Sequence, residues 1–199
     1  MARKAGLTRD EVITAAATIA DREGLPAVTL AAVAEVVGVR SPSLYSHVDG
    51  LEGLRRSLAL LATHLLAEAF ADAARVHDDD GRPLDALREI AHAYRAFARE
   101  HPGLYASLLP VPKPGDDPEG AAAALESVNI IASLLGRLGI PADRHVDIIR
   151  TLRAMLHGFC DLELGGGFGL GAPVDTSFEV AVDIVLRGFA VAQEPAHAP

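Results

Sequence analysis

The chain is short of the residues that staple or anchor a small protein. Its single cysteine, Cys160, excludes a disulfide within the chain. Tryptophan is absent and aromatic residues make up only 5%, so any core must be built mainly from Leu, Ile, Val and Ala. No uninterrupted apolar stretch reaches the ~18 residues of a membrane span. The basic N-terminus is not followed by the apolar segment of a signal peptide. Alternating strand patterns are lacking throughout. There is no G-K-[ST] phosphate loop, no H-E-x-x-H and no C-x-x-C. Residues 167–172 spell G-x-G-x-x-A, but they follow a helical pattern, and a dinucleotide site needs a strand before that turn. Cys160 sits in an apolar helical pattern, which favours an inert thiol. His77 with Asp78, Asp79 and Asp80 reads as a solvated acidic loop in preference to a cation site. Together these absences predict a soluble, cytoplasmic, all-α protein that is not an enzyme, has no catalytic residues, and uses no cofactor or metal.

What is present is apolar helix-forming sequence. Half the residues are apolar and the mean hydropathy is +0.23. The net charge of −9 is unevenly spread. Residues 1–56 carry seven basic residues (Arg3, Lys4, Arg9, Arg22, Arg40, Arg55, Arg56) against seven acidic ones, and residues 57–199 carry 11 against 20. A neutral head thus precedes an acidic body, and the expected domains are 1–56 and 57–199.

The most informative run is Thr29 to Val48. Thr29 can N-cap one short helix, and Ser41 followed by Pro42 at N1 can start another, running to about Val48. Gly38 can take the positive φ that a sharp turn between them needs. Ala34 is small where the helices would cross, and Val33, Val37, Val39 and Leu44 supply apolar contacts. This is a helix-turn-helix pattern, whose second helix fits the DNA major groove. Before it, Thr8-Arg9-Asp10-Glu11 is a capping box for a helix to about Glu23, stopped by Gly24 and Pro26. After it, the acidic box at 49–52 opens a long helix over about 51–76.

Further helices are predicted over about 84–100, 104–109, 118–138, 142–164 and 176–192, about nine in all. Breakers lie between them: a polar loop at 77–83, a Pro-rich loop at 110–117, and a glycine-rich connection at 165–171. Residues 193–199 read as a tail. Asp117-Pro118 and the box at 176–179 look like helix starts. The helices at 142–164 and 176–192 are apolar around more than one face, so each is expected to be buried on several sides. Two such helices from each of two subunits make a four-helix bundle across a twofold axis, the preferred reading over a monomer core.

Thr29, Ala34, Gly38-Val39, the run from Ser41 to Tyr45, and His47-Val48 resemble the DNA-binding domain of the TetR (tetracycline-repressor) family of transcriptional regulators. The motif resemblance covers about residues 8–58, and the remaining chain matches in length and helical layout. The likeness implies a homodimer on a palindromic double-stranded DNA operator. It places the DNA contacts at Thr29, Arg40, Ser41, Pro42, Ser43, Tyr45 and His47. Arg40 suits guanine or phosphate, Pro42 and Ser43 suit base edges, and Tyr45 and His47 suit phosphates; packing between helices is the other reading for the last two. Two departures stand out. Leu51 occupies a place where many members carry a basic residue, with Arg55 or Arg56 as the compensating candidates. Arg40 stands where many carry Ser or Thr.

The body resembles the family's effector-binding domain, and Leu156-His157-Gly158-Phe159 resembles a subgroup named for a Trp-His-Gly motif, with Leu156 in place of Trp. Tyr94, Phe97, Tyr105, Met155, His157 and Phe159 are the candidate lining of an apolar effector site. For His157 the alternative is a core histidine satisfied by Asp161 or Arg153. The expected function is a ligand-responsive repressor released from its operator by a small apolar effector, with no membrane partner. The alternatives are a non-catalytic helical bundle that binds a protein or lipid, and a small helical enzyme.

Overall fold

The computed structural model describes residues 6–77, 81–109 and 115–192. Arg3, Lys4, the acidic triplet 78–80, the segment 110–114 and the tail 193–199 lie outside the described residues. Among the described residues all regular structure is helical, with eight α-helices, two short 3-10 helices and no strand. The α-helices are α1 (Arg9–Glu23), α2 (Leu30–Val37), α3 (Gly50–Arg75), α4 (Pro83–Glu100), α5 (Pro102–Ser107), α6 (Pro118–Arg137), α7 (Ala142–Leu164) and α8 (Val174–Ala192).

Capping chemistry explains several of these starts and stops. The Thr8 hydroxyl accepts the Glu11 amide at 3.2 Å, and the Glu11 carboxylate accepts the Thr8 amide at 2.7 Å, which completes the box that opens α1. The Thr29 hydroxyl accepts the Ala32 amide at 3.1 Å and opens α2. Asp117 does the same for Gly120 at 3.0 Å ahead of Pro118. Gly38 ends α2 in the left-handed region (φ 72°, ψ 33°), and the Val39 amide then reaches back to the Ala34 carbonyl at 2.9 Å.

Two predicted starts are corrected. Ser41 does not cap the second helix of the pair. Arg40, in extended backbone (φ −86°, ψ 145°), holds the cap position, and Ser41–Ser46 winds as a 3-10 helix that ends short of Val48. Pro42 brings no N–H, the Ser43 amide bonds Arg40 only three residues back, and the Ser46 hydroxyl bonds the Ser43 carbonyl at 2.8 Å. These short-range bonds favour the tighter winding. At the other end α8 begins at Val174 rather than at the box 176–179. The Pro173 carbonyl accepts the Ser177 amide and hydroxyl at 3.2 and 3.3 Å, which starts the helix earlier.

The chain forms two compact units. The first comprises residues up to Leu65 together with Glu100–Ala121; the second comprises Leu66–Arg99 and the chain from Ala122 onward. The expected boundary at residue 56 therefore falls inside α3. Residues 100–121 rejoin the first unit because α5 packs on α1. Asp21 near the end of α1 accepts the Gly103 and Leu104 amides at 2.9 and 3.0 Å, and its other oxygen lies 3.0 Å from His101 Nδ1. The core of the first unit includes Val12, Ala16, Val28, Val33, Leu44, Leu54 and Leu104, all nearly or fully buried. That of the second includes Leu87, Ile90, Leu135, Leu152, Leu156 and Phe178. By length and composition α3 is also apolar enough to cross a membrane, a property that core helices of soluble proteins share. Its apolar sequence is interrupted by His64, Glu68 and Asp72.

Gly103 is the tightest point of the first unit, since a Cβ there would lie 2.1 Å from the Ala20 carbonyl carbon. Gly103→Ala should cost about 3 kcal/mol, the upper part of the overpacking range. Gly136→Ala, at an exposed helical position with open space around it, should gain up to ~1 kcal/mol. Urea unfolding of the two variants checks both signs.

Candidate functional site

Leu44 (0% exposed) and Val48 (6%) anchor the segment after the Gly38 turn. Because a 3-10 helix repeats about every three residues, anchoring Leu44 turns its neighbours outward. Arg40, Pro42, Ser43 and Tyr45 are exposed, Ser41 and His47 half-buried, and Thr29 exposed at the start of α2. Tyr45 keeps 63% of its surface, so interhelical packing does not account for it. The sequence-predicted contacts are thus brought together on the first unit. Val36, 60% exposed on α2, shares this accessibility and was missed because a valine in an apolar stripe reads as core.

Beside the segment lies a polar cleft of about 210 Å³, with Arg9, Tyr45, His47, Arg56 and Ser57 in its lining. Arg9 Nη2 donates to Ser57 Oγ at 2.9 Å, and Ser57 donates to the Gly53 carbonyl at 2.8 Å. Arg9 is another residue that sequence reasoning passed over, since only the fold brings it to Ser57, 48 residues away. Glu11 carries a carboxyl held below its usual range, first by the Thr8 backbone bond and then by the Thr8 hydroxyl. Leu51 is half-buried and Arg55 exposed. Arg56 is engaged: its Nε and Nη2 donate to Asp117 at 2.9 and 2.6 Å, and Nη2 donates to Glu119 at 2.8 Å. The Arg56 bond in turn holds the Asp117 carboxyl below its usual range.

In the second unit the structure places Tyr94, Phe97, Met155, His157 and Phe159; Tyr105, on α5, belongs to the first. Tyr94 and Phe97 are buried, the other three half-buried. Tyr94 Oη lies 3.3 Å from His157 Nδ1, so a phenol is one partner of the imidazole, in addition to the Asp161 and Arg153 considered from sequence as candidates. Phe159 packs against Phe168 and Phe178, with ring centres 4.7 and 5.1 Å away. Above these rings sits Arg95, the largest omission of the sequence reading. Its guanidinium donates to Glu163 at 2.7 and 2.6 Å and to Asp175 at 2.7 Å, and lies 4.7 Å from the Phe178 ring centre. Arg95 shares a helical stripe with Ala91 and Ala98 on α4, and an arginine inside an apolar stripe was the available signal. Burial pushes the Cys160 thiol up to about 12, with the Glu163 charge adding to it, so the thiol stays protonated near neutrality.

α7 and α8 pack together and also present small and apolar residues to solvent: Ala154, Gly158 and Leu162 on α7, and Val180, Ile184 and Gly188 on α8. An open groove of about 470 Å³ runs there, lined mainly by apolar surface that includes Ile148, Ile184, Val185 and Phe189.

With this geometry in place, the relatives are informative. The chain is 33% identical over 193 residues to the uncharacterized HTH-type transcriptional regulator YobS of Bacillus subtilis, covering 96% of this chain and 97% of that protein. It is 35% identical over 187 residues to the uncharacterized HTH-type transcriptional regulator Rv0681 of Mycobacterium tuberculosis, covering 94% of this chain and 82% of that one. Residues 87–185 match the family model described as the tetracyclin repressor-like C-terminal domain. The chain belongs to the TetR family of transcriptional regulators. Its fold agrees with that of the transcriptional regulator SCO7222, a TetR from Streptomyces coelicolor, at a TM-score of 0.72 and 18% identity over 95% of this chain and 100% of that one. A Rhodococcus protein with unknown function superposes at a TM-score of 0.78 with 23% identity, over 93% of this chain and 96% of that one. The family's regulators are as a class DNA-binding proteins and not enzymes.

The Arg95 cluster in this TetR-family chain should behave as a buried ion pair. Arg95→Ala leaves Glu163 without its partner and should cost about 3 kcal/mol, whereas Asp175→Asn, at an exposed carboxylate, should cost under ~0.5 kcal/mol. The Arg95 bond, ahead of all other influences, holds the Glu163 carboxyl below its usual range. A lowered folded value contributes stability above the unfolded value and loses it as pH falls through the folded one. The gap between wild type and Arg95→Ala should therefore be full at about pH 7 and narrow below about pH 4. Urea unfolding across that range measures it.

Proposed function

We propose that this regulator is a cytoplasmic, non-enzymatic repressor that binds a palindromic operator as a homodimer and leaves it when a small apolar effector binds the helical body. The observation that carries the DNA reading is the exposed set Arg40, Pro42, Ser43 and Tyr45, held outward by a fully buried Leu44. Arg40 reads a base edge or grips a phosphate through its planar fork, Ser41, Pro42 and Ser43 meet base edges, and Tyr45 and His47 bond phosphates and fix register. Thr29 adds a helix N-terminus for a further phosphate. Residues 1–56 are the DNA-reading part of the chain, and residues 57–199 serve effector binding and dimerisation.

Dimerisation is supported by the exposed Gly158, Leu162, Val180, Ile184 and Gly188, which fit a helix pair from a second copy. For the effector, Phe97, Met155 and Phe159 offer apolar contact and the Tyr94–His157 pair a polar handle. α3 continues from one unit into the other, so a displacement of its second half alters the spacing of two recognition segments. Effector and operator then oppose each other through a coupling free energy that is reciprocal.

Selecting a random duplex pool on the protein, then footprinting the region upstream of its gene, tests this reading. Arg40→Ala and Tyr45→Ala should each weaken operator binding by about 1–3 kcal/mol while sedimentation still reports the dimer. Unchanged affinity in both would remove the recognition segment from the mechanism. Ile184→Glu, at a residue 66% exposed in the single chain, should leave the fold intact yet yield a monomer; a dimer of wild-type affinity would move the interface elsewhere.

A further inference from the structure

Arg56 occupies two sets of neighbours at once. It lines the polar cleft with Tyr45 and His47, the residues assigned above to operator phosphates, and with Arg9. Its guanidinium meanwhile spends three of its five N–H donors on Asp117 and Glu119. Leu51 leaves the first turn of α3 without a cation, and Arg56 follows about 7–8 Å further along the same helix. We infer that Asp117 and Glu119 are an internal competitor for the operator backbone: they hold Arg56 in the DNA-free protein, and a phosphate takes it over in the complex. This rests on the DNA-binding reading above.

The exchange is close to balanced on physical grounds. Arg56 is 45% exposed and Glu119 64% exposed, so the pair is hydrated and its net worth is small. A phosphate offers the same bidentate geometry, and the operator gains from the counterion that Arg56 displaces. Asp117 is fixed at the start of α6, where its Oδ1 also accepts the Gly120 amide at 3.0 Å. Its carboxylate therefore moves with α6. That helix begins in the first unit and continues in the second from Ala122. A shift of α6 along its axis changes the grip on Arg56 and, through it, the affinity for DNA. Part of the body's excess acid thus acts on the DNA-reading surface at short range, through one arginine.

A double-mutant cycle tests this on the full-length protein with the duplex that wild type recovers from a random pool. Asp117→Asn keeps the helix cap, because Asn is as good an N-cap as Asp, and Glu119→Gln is isosteric. The double variant should bind that duplex about 5–10-fold more tightly, with a salt slope steeper by roughly one released counterion. In an Arg56→Ala background the same two substitutions should change affinity less than about twofold, the residue of long-range repulsion. An equal gain in both backgrounds, or no gain in either, overturns the competition while leaving DNA binding in place. If wild type recovers no duplex, the regulator reading fails together with this one.

Discussion

The left-handed turn at Gly38 is the constraint on which the exposed face of the helix-turn-helix depends. At φ 72° a Cβ would crowd the backbone, so glycine is the residue that ends α2 there without strain. The turn lets the Val39 amide close on Ala34 and delivers Arg40 in extended backbone. From that start the next six residues bury one large side chain, Leu44, and leave the polar ones outside. A helix that continued through residue 38 would have a different phase, and Tyr45 and Arg40 would not share an exposed face.

The acid-rich composition finds a physical use in the way arginines are held. Arg95 is buried and kept charged by Glu163 and Asp175. Arg88 pairs with Asp183 and Glu179, joining α4 to α8. Arg56 pairs with Asp117 and Glu119. The carboxylates thus serve as fixed counter-charges as well as solvated surface, and Arg40 stays exposed.

Local signals were legible wherever the deciding partner lay within one helical turn. The Thr8 box, the Thr29 and Asp117 caps, and the stop at Gly38 each involve residues three to five apart, and each was visible in the chain. Ser41 and the box at 176–179 misled for the same local reason. Both are good cap residues, but Pro42 and Pro173 each have a carbonyl and no amide, and the bonds around them shifted the start. That Arg40, Pro42, Ser43 and Tyr45 would be exposed was legible because Leu44 is the one large apolar residue of the segment.

Sequence alone determined the all-helical class, the helix-turn-helix and the family, because these rest on periodicity, caps and a short motif. The tertiary structure decided which charges meet. Arg95 finds Glu163 and Asp175 across 68 and 80 residues, Arg56 finds Asp117 across 61, and His157 meets Tyr94 across 63. It also joined residues 100–121 to the first unit, through the Asp21 cap on α5 and the bare Cα of Gly103 against Ala20. Such pairings depend on how helices pack, and packing follows from shape complementarity over whole faces, which no local window of sequence contains.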